Sequence, residues 1–161
     1  MDHKLSSLLN EQINKEFYSA YLYLAVHNWF AERNLGGFAA YYGKQAAEEQ
    51  QHALKLSSYL HDNGEKVELG ALAAPAVSFQ SAKDAVAAVL AHEKSITASI
   101  EHLYETALEL KDYRTQLFLG WYVTEQCEEE KNAQDQLDRV ALLGDHPVGL
   151  YSLDKEAGAA R

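Results

Sequence analysis

Apolar residues recur every three or four positions through four long stretches of the chain, the spacing of one helical face. The pattern predicts helices over about 5–33, 38–64, 82–110 and 113–143. The first stripe runs Leu5, Leu9, Ala20, Leu24 and the second Phe38, Tyr41, Leu56, Tyr59. The third runs Val86, Leu90, Ile100, Leu103 and the fourth Phe118, Tyr122, Ala133, Leu137, Val140. The breaks between them have local causes. Asn34-Leu35-Gly36-Gly37 ends the first helix with residues that tolerate positive φ. Asn63-Gly64 ends the second. Ser81, with Asp84 three positions on, forms a variant capping box for the third. "LKDYR" (110–114) makes a short turn before the fourth, which stops at Gly144. Pro147 then opens a short fifth helix over about 147–158.

The connection from Gly64 to Ser81 is different, at about 17 residues with no periodicity of its own. Extended, it reaches roughly 50 Å, more than the roughly 40 Å length of the second helix. It can therefore return along the bundle and start the third helix parallel to the second. The expected architecture is an all-α, up-down-down-up four-helix bundle over about 5–143 with a long crossover and a short C-terminal helix. Residues 1–161 read as one domain.

Each of the four stripes is interrupted by polar residues at a similar height. Glu16 breaks the first, Glu49 and His52 the second, Glu93 the third, and Gln126 and Glu129 the fourth. At about 1.5 Å rise per residue these positions fall within roughly 10 Å of one level. Glu48 lies beside Glu49, and Glu125 and Glu128 flank the fourth stripe beside Trp121; Glu130 falls toward solvent.

Composition narrows what such a layer can do. The formal net charge is −10 with no block of Lys or Arg, which argues against nucleic acid and anionic membrane surfaces as partners. No apolar run approaches the roughly 20 residues that span a bilayer, and the N-terminus has no signal-peptide pattern. The single cysteine, Cys127, excludes an internal disulfide and makes the cytoplasm the expected compartment. Four carboxylates and an imidazole inside one bundle cannot all stay charged and unpaired. No Lys or Arg stands on these faces at that height, so the simplest counter-charge is a pair of metal cations. Carboxylate-rich ligation with one imidazole suits iron or manganese. Di-metal bundles use one Glu from each of two helices plus Glu-x-x-His from each of the others. Glu16 and Glu93 supply the single glutamates and "EQQH" (49–52) one Glu-x-x-His. The fourth helix departs with Gln126 and Glu129 at the same spacing, which predicts a weaker second metal shell.

With "NEQINKEFYSAYLYLA", "EEQQHALKL", "HEKS" and "WYVTEQCEEE", essentially the whole chain resembles the ferritin family, in particular bacterial non-haem ferritins. That resemblance implies iron storage by a ferroxidase. Fe(II) would be oxidised by dioxygen or hydrogen peroxide at an intrasubunit di-iron centre, and ferric oxyhydroxide kept in a hollow homo-oligomeric shell, usually of twenty-four subunits. Carried over, Glu16, Glu49, His52 and Glu93 would hold one iron. Glu49, Glu93, Gln126 and Glu129 would hold or approach the second. A third nearby iron site would fall on Glu48, Glu125, Glu128 and Glu129, and Tyr23 and Trp121 match site-adjacent aromatics; Tyr23, Glu49 and His52 are the residues expected to carry catalysis. Cys127 departs from the histidine or apolar residue expected there. The only methionine is Met1, and Gln50 and Gln51 stand where haem-binding relatives carry a methionine, so no haem is expected.

Two rival classes compete. One is a di-iron carboxylate oxygenase or peroxidase of small oligomeric state, which usually has a second Glu-x-x-His. The other is a metal-free interaction bundle. Assembly into a shell should bury outer tyrosines such as Tyr42 and Tyr113. It should also bury Val148, Leu150, Tyr151 and Leu153 of the fifth helix, which is too short to persist alone in water.

Overall fold

In the computed structural model, which describes residues 1–75 and 78–159, five helices follow in order: α1 (His3–Ala31), α2 (Gly36–Asp62), α3 (Ala82–Glu109), α4 (Tyr113–Leu143) and α5 (Pro147–Ala159). Three N-termini are capped locally. Asp2 accepts from the Lys4 amide, Ser81 from the Asp84 amide and Asp112 from the Thr115 amide, each satisfying a donor that the helix leaves free. Asn34, Gly64 and Lys111 take positive φ, reversing the chain after α1, α2 and α3. Gly36 and Gly37 are helical and open α2 two residues earlier than expected.

That early start has a distant cause. Leu35 gives α2 no side-chain cap. Instead Asp154 of α5 accepts from the backbone N–H groups of Gly37 and Phe38, at 2.8 and 2.9 Å. Glycine is needed at 37, because a Cβ there would lie 1.6 Å from the Asp154 carbonyl oxygen. Leu153 is buried in the cluster that holds Phe38 and Val140, with Leu150 and Ala157 packed against it. The fifth helix is therefore docked on its own chain, where the sequence pattern predicts packing against other subunits. Val148 and Tyr151 remain exposed.

The buried apolar side chains form two clusters. One joins Val26 and Phe30 at the end of α1, Phe38 and Tyr42 at the start of α2, Val86 and Val89 at the start of α3, and Val140 at the end of α4. The other joins Leu5 and Leu9, Leu56 and Leu60, Ile100 and Leu103, and Leu119 and Tyr122 from the opposite ends. So α2 and α3 run parallel to each other and antiparallel to α1 and α4, giving the up-down-down-up order. The crossover makes this possible. Asn10 and Asn14 on α1 hold the backbone of residues 66–70 through paired side-chain bonds, and the Trp29 indole donates to Phe79 O further along. The segment thus runs beside α1 in α1's own direction; its Ala76 and Val77 lie outside the described residues.

Two details of the expected faces are corrected. On α1 the inward line passes through Ser19, Tyr23 and Val26, while Ala20 is only half-buried and Leu24 is exposed. Buried Ser19 satisfies its hydroxyl on Lys15 O and His92, so a polar residue occupies the core line. Tyr42 is 1% exposed rather than on the outer surface, its hydroxyl donating to Gln136 Oε1; Tyr113 is 66% exposed. Among the described residues, no helix is long and apolar enough to cross a membrane.

Candidate metal centre

Between the two apolar clusters lies a polar layer to which all four long helices contribute. Glu16, Glu49, His52, Glu93, Gln126 and Glu129 are each 5% exposed or less. They reach the interior because each occupies an inward position of its own stripe, which apolar core residues continue further along the helix in both directions. His52 Nδ1 lies 3.6 Å from Glu49 Oε2. Glu93 accepts from the Tyr23 hydroxyl at Oε1 and from Gln126 Nε2, 3.1 Å away, at Oε2. Glu129 accepts from Gln45 at 3.2 Å and Glu16 from Gln12 at 2.8 Å.

These contacts leave the layer short of positive charge. No neighbouring donor reaches Glu16 Oε2 or Glu49 Oε1, both buried, and the two carboxyls lie against each other. None of the described lysines or arginines is buried. Burial holds the Glu16 carboxyl well above its ordinary range, reinforced by Glu49. Burial does the same to Glu49, with Glu93 and Glu129 adding repulsion. Glu93 is also raised by burial, although the Tyr23 and Gln126 hydrogen bonds oppose the rise. Glu129 is pushed up to about 8 by burial, then by Glu93 and Glu48. A cation would reverse each of these penalties and give both orphaned oxygens a partner. The donor set of oxygens plus one imidazole nitrogen fits iron.

Ligand atoms of Glu16, Glu49 and His52 lie within 4.8 Å of one another, and so do those of Glu48, His52, Glu125 and Glu129. His52 belongs to both groups. Glu93 belongs to neither, being drawn to Tyr23 and Gln126 at the edge of the first. Gln126 directs its amide N–H to Glu93, with Thr97 Oγ1 3.3 Å away, so its nitrogen side faces the layer. Glu128 lies outside the second group but lines the same cleft of about 470 Å³, with Tyr41, Gln45, Glu48, Glu125 and Glu129. That cleft opens the buried layer to solvent on the α2–α4 side.

Aromatic rings wall the layer. Tyr23 stacks on Tyr42, with centroids 5.9 Å apart. Burial and the surrounding carboxylates hold its phenol proton tightly, so the hydroxyl remains a donor to Glu93. Trp121 meets the His52 ring edge-on at 5.3 Å and carries Lys55 Nζ 3.0 Å above its own centroid. The Tyr122 hydroxyl donates to His52 O at 2.7 Å, fixing the helix that carries the imidazole. Sequence reasoning missed Gln12, Gln45, Thr97 and Tyr122 as supporting residues. Gln12 had a readable signal: it precedes Glu16 by four residues, on the same inward face.

The chain matches a family model described as a ferritin-like domain over residues 6–143. It is 43% identical over 155 residues to a bacterial non-heme ferritin of Campylobacter jejuni, across 96% of this chain and 93% of that one. A probable bacterial non-heme ferritin-like protein of Haemophilus influenzae is 40% identical over 158 residues, across 98% and 96%. Among solved structures, an open pore ferritin of the hyperthermophilic archaeon Archaeoglobus fulgidus is similar with a TM-score of 0.98 at 38% identity, covering 100% of this chain and 98% of that one.

Proposed function

The chain belongs to the ferritin family, and from that premise we infer an iron-storage protein that is also a ferroxidase, oxidising Fe(II) with dioxygen and keeping the ferric product inside a protein shell. The observation that carries this reading is the pair of buried, unpartnered carboxylate oxygens, Glu16 Oε2 and Glu49 Oε1, in a layer built by all four helices. A structural polar layer would pair such atoms; a site that receives a divalent substrate leaves them for it.

In this reading two Fe(II) ions per subunit are the substrate. Glu16, Glu49, His52 and Glu93 hold one. Glu49, Glu93 and Glu129 hold or approach the other, with Gln126 beside them. Each Fe(II) yields one electron, and dioxygen or hydrogen peroxide takes two from the pair. The residues supply placement and charge. Tyr23 and Gln126 hold Glu93, and the apolar clusters above and below exclude water, strengthening each carboxylate–cation attraction. The cleft of Glu48, Glu125, Glu128 and Glu129 offers a third, wetter iron site through which substrate and product pass. We expect no haem, since Met1 is the only methionine and Gln50 and Gln51 stand beside the Glu-x-x-His motif. We take residues 1–161 as one domain, working in the cytoplasm as a homo-oligomer of twenty-four subunits.

Stopped-flow oxidation with two Fe(II) per subunit tests the chemistry, and sedimentation with iron loading tests the storage. A rate equal to buffer, or a small particle that never holds more than a few irons per chain, overturns the reading.

A further inference from the structure

Gln12 is fully buried, and its amide nitrogen is directed at Glu16. Its amide lies inside a directed hydrogen-bond chain that leaves α1 at Lys15, passes through Ser99 of α3 and returns to α1. Lys15 Nζ is 2.6 Å from Ser99 Oγ, Ser99 Oγ is 2.6 Å from Gln12 Oε1, and Gln12 Nε2 is 2.8 Å from Glu16 Oε1. The direction of every bond follows from donor chemistry. A lysine ammonium only donates, so Ser99 Oγ accepts from Lys15. The Glu16 carboxylate only accepts, so the Gln12 NH₂ group faces it. Gln12 Oε1 is then turned toward Ser99 and takes the hydroxyl proton. An exposed lysine and a half-buried serine thereby hold the carbonyl end of a buried amide.

The consequence falls on Glu16. Its Oε1 is occupied by the Gln12 amide, and its Oε2 is the oxygen left without a partner. We propose that Gln12 is a positioning residue that orients Glu16 so that Oε2 leads into the site, the carbonyl end of its amide being held by Ser99 and Lys15. A carboxylate held in this way enters the site already oriented, with Oε2 as the oxygen that leads. Outer partners of metal ligands are worth about 10–100-fold in metal affinity. The proposal rests on the ferroxidase reading for the identity of the ion and goes beyond it in assigning Gln12, Ser99 and Lys15.

Co(II) is the probe, because it binds without oxidation and its visible d–d absorption reports coordination number. The assembled protein is titrated anaerobically as wild type, Gln12→Leu, Ser99→Ala and Ser99→Thr, with circular dichroism on each metal-free sample. Ser99→Ala removes the hydroxyl that holds the far end of the amide and should weaken the tightest Co(II) site about tenfold, with a changed d–d spectrum. Ser99→Thr restores the hydroxyl and should return both affinity and spectrum. Gln12→Leu should lose about 10–100-fold; if it misfolds, the Ser99 pair still decides. Wild-type affinity and spectrum in Ser99→Ala would overturn the proposal while leaving the metal centre standing. Failure of the wild-type protein to bind Co(II) at all would overturn both.

Discussion

Asp154 and Gly37 are more than a hundred residues apart in sequence, and the carboxylate of one caps the helix that begins at the other. This contact ties α5 to the start of α2. Asp154→Ala should destabilise the protein by about 1–2 kcal/mol, the cost of a lost helix cap. Asp154→Asn, which keeps an acceptor oxygen, should recover part of it. Gly37→Ala should do at least as much damage, because the new Cβ would meet backbone of α5 rather than a movable side chain. Limited proteolysis is the sharper measurement: both variants should be cut after Gly144 under conditions where the wild-type chain is not. Equal resistance would mean that apolar packing alone holds α5.

Replacing Glu49 by Gln, or His52 by Ala, should slow the rapid oxidation phase about tenfold or more, the least expected when a direct ligand is lost rather than its outer partner. The metal-free melting temperature of Glu49→Gln should be unchanged or higher. Burial and the neighbouring carboxylates already penalise the Glu49 charge, so removing it relieves repulsion. A marked loss of metal-free stability would show that the pair is structural.

How far the chain could be read in advance depended on the range of the interaction. Helix ends set by local chemistry, such as Ser81 at the start of α3 and Gly64 after α2, were legible. The start of α2 was not, because its cap comes from Asp154 far down the chain. Height along the bundle was legible because rise per residue is constant, so Glu16, Glu49, Glu93 and Glu129 could be placed in one layer. Rotation about each helix was less so. Tyr41 and Tyr42 differ by one position, and the Gln136 contact that lets Tyr42 be buried is again long-range. Ser19 rather than Ala20 lies inward although its hydroxyl is polar, because Lys15 O and His92 satisfy that hydroxyl and the His92 contact is long-range.

The metal-free protein should lose stability as pH rises through the range where the buried carboxyls ionise. Glu129 has its folded pKa raised from 4.5 to about 8. Below 4.5 it is protonated in both states and contributes no penalty. Between 4.5 and about 8 the unfolded chain releases the proton while the folded chain retains it, so stability from this group is lost progressively with pH. A bound cation replaces the proton, so the rise in melting temperature on adding Zn(II) or Co(II) should be larger at pH 8 than at pH 5. Glu129→Gln isolates the effect: its metal-free stability should exceed that of wild type more at pH 8 than at pH 5. A difference independent of pH would remove Glu129 as the cause.

The acid cleft provides the last test, because it separates two groups that share His52. Glu48 and Glu125 present ligand atoms close to Glu129 and His52, while Glu128 lines the same opening. All three lie outside the unpartnered pair Glu16 and Glu49, and neither Glu48 nor Glu128 is buried. Replacing Glu48, Glu125 and Glu128 together by Gln keeps side-chain size and removes three negative charges from the cleft. The first oxidation, with two Fe(II) per subunit, should stay within about threefold of wild type. Some slowing is expected because the cleft no longer concentrates cations by its field, and that part should shrink as salt screens the field over about 8–10 Å. Later additions of iron should change more, since each must leave the buried layer through the altered cleft. Sequential stopped-flow additions, at low and at physiological salt, give both quantities from one preparation. If the first oxidation collapses as far as in His52→Ala, the cleft and the buried layer are one site rather than two.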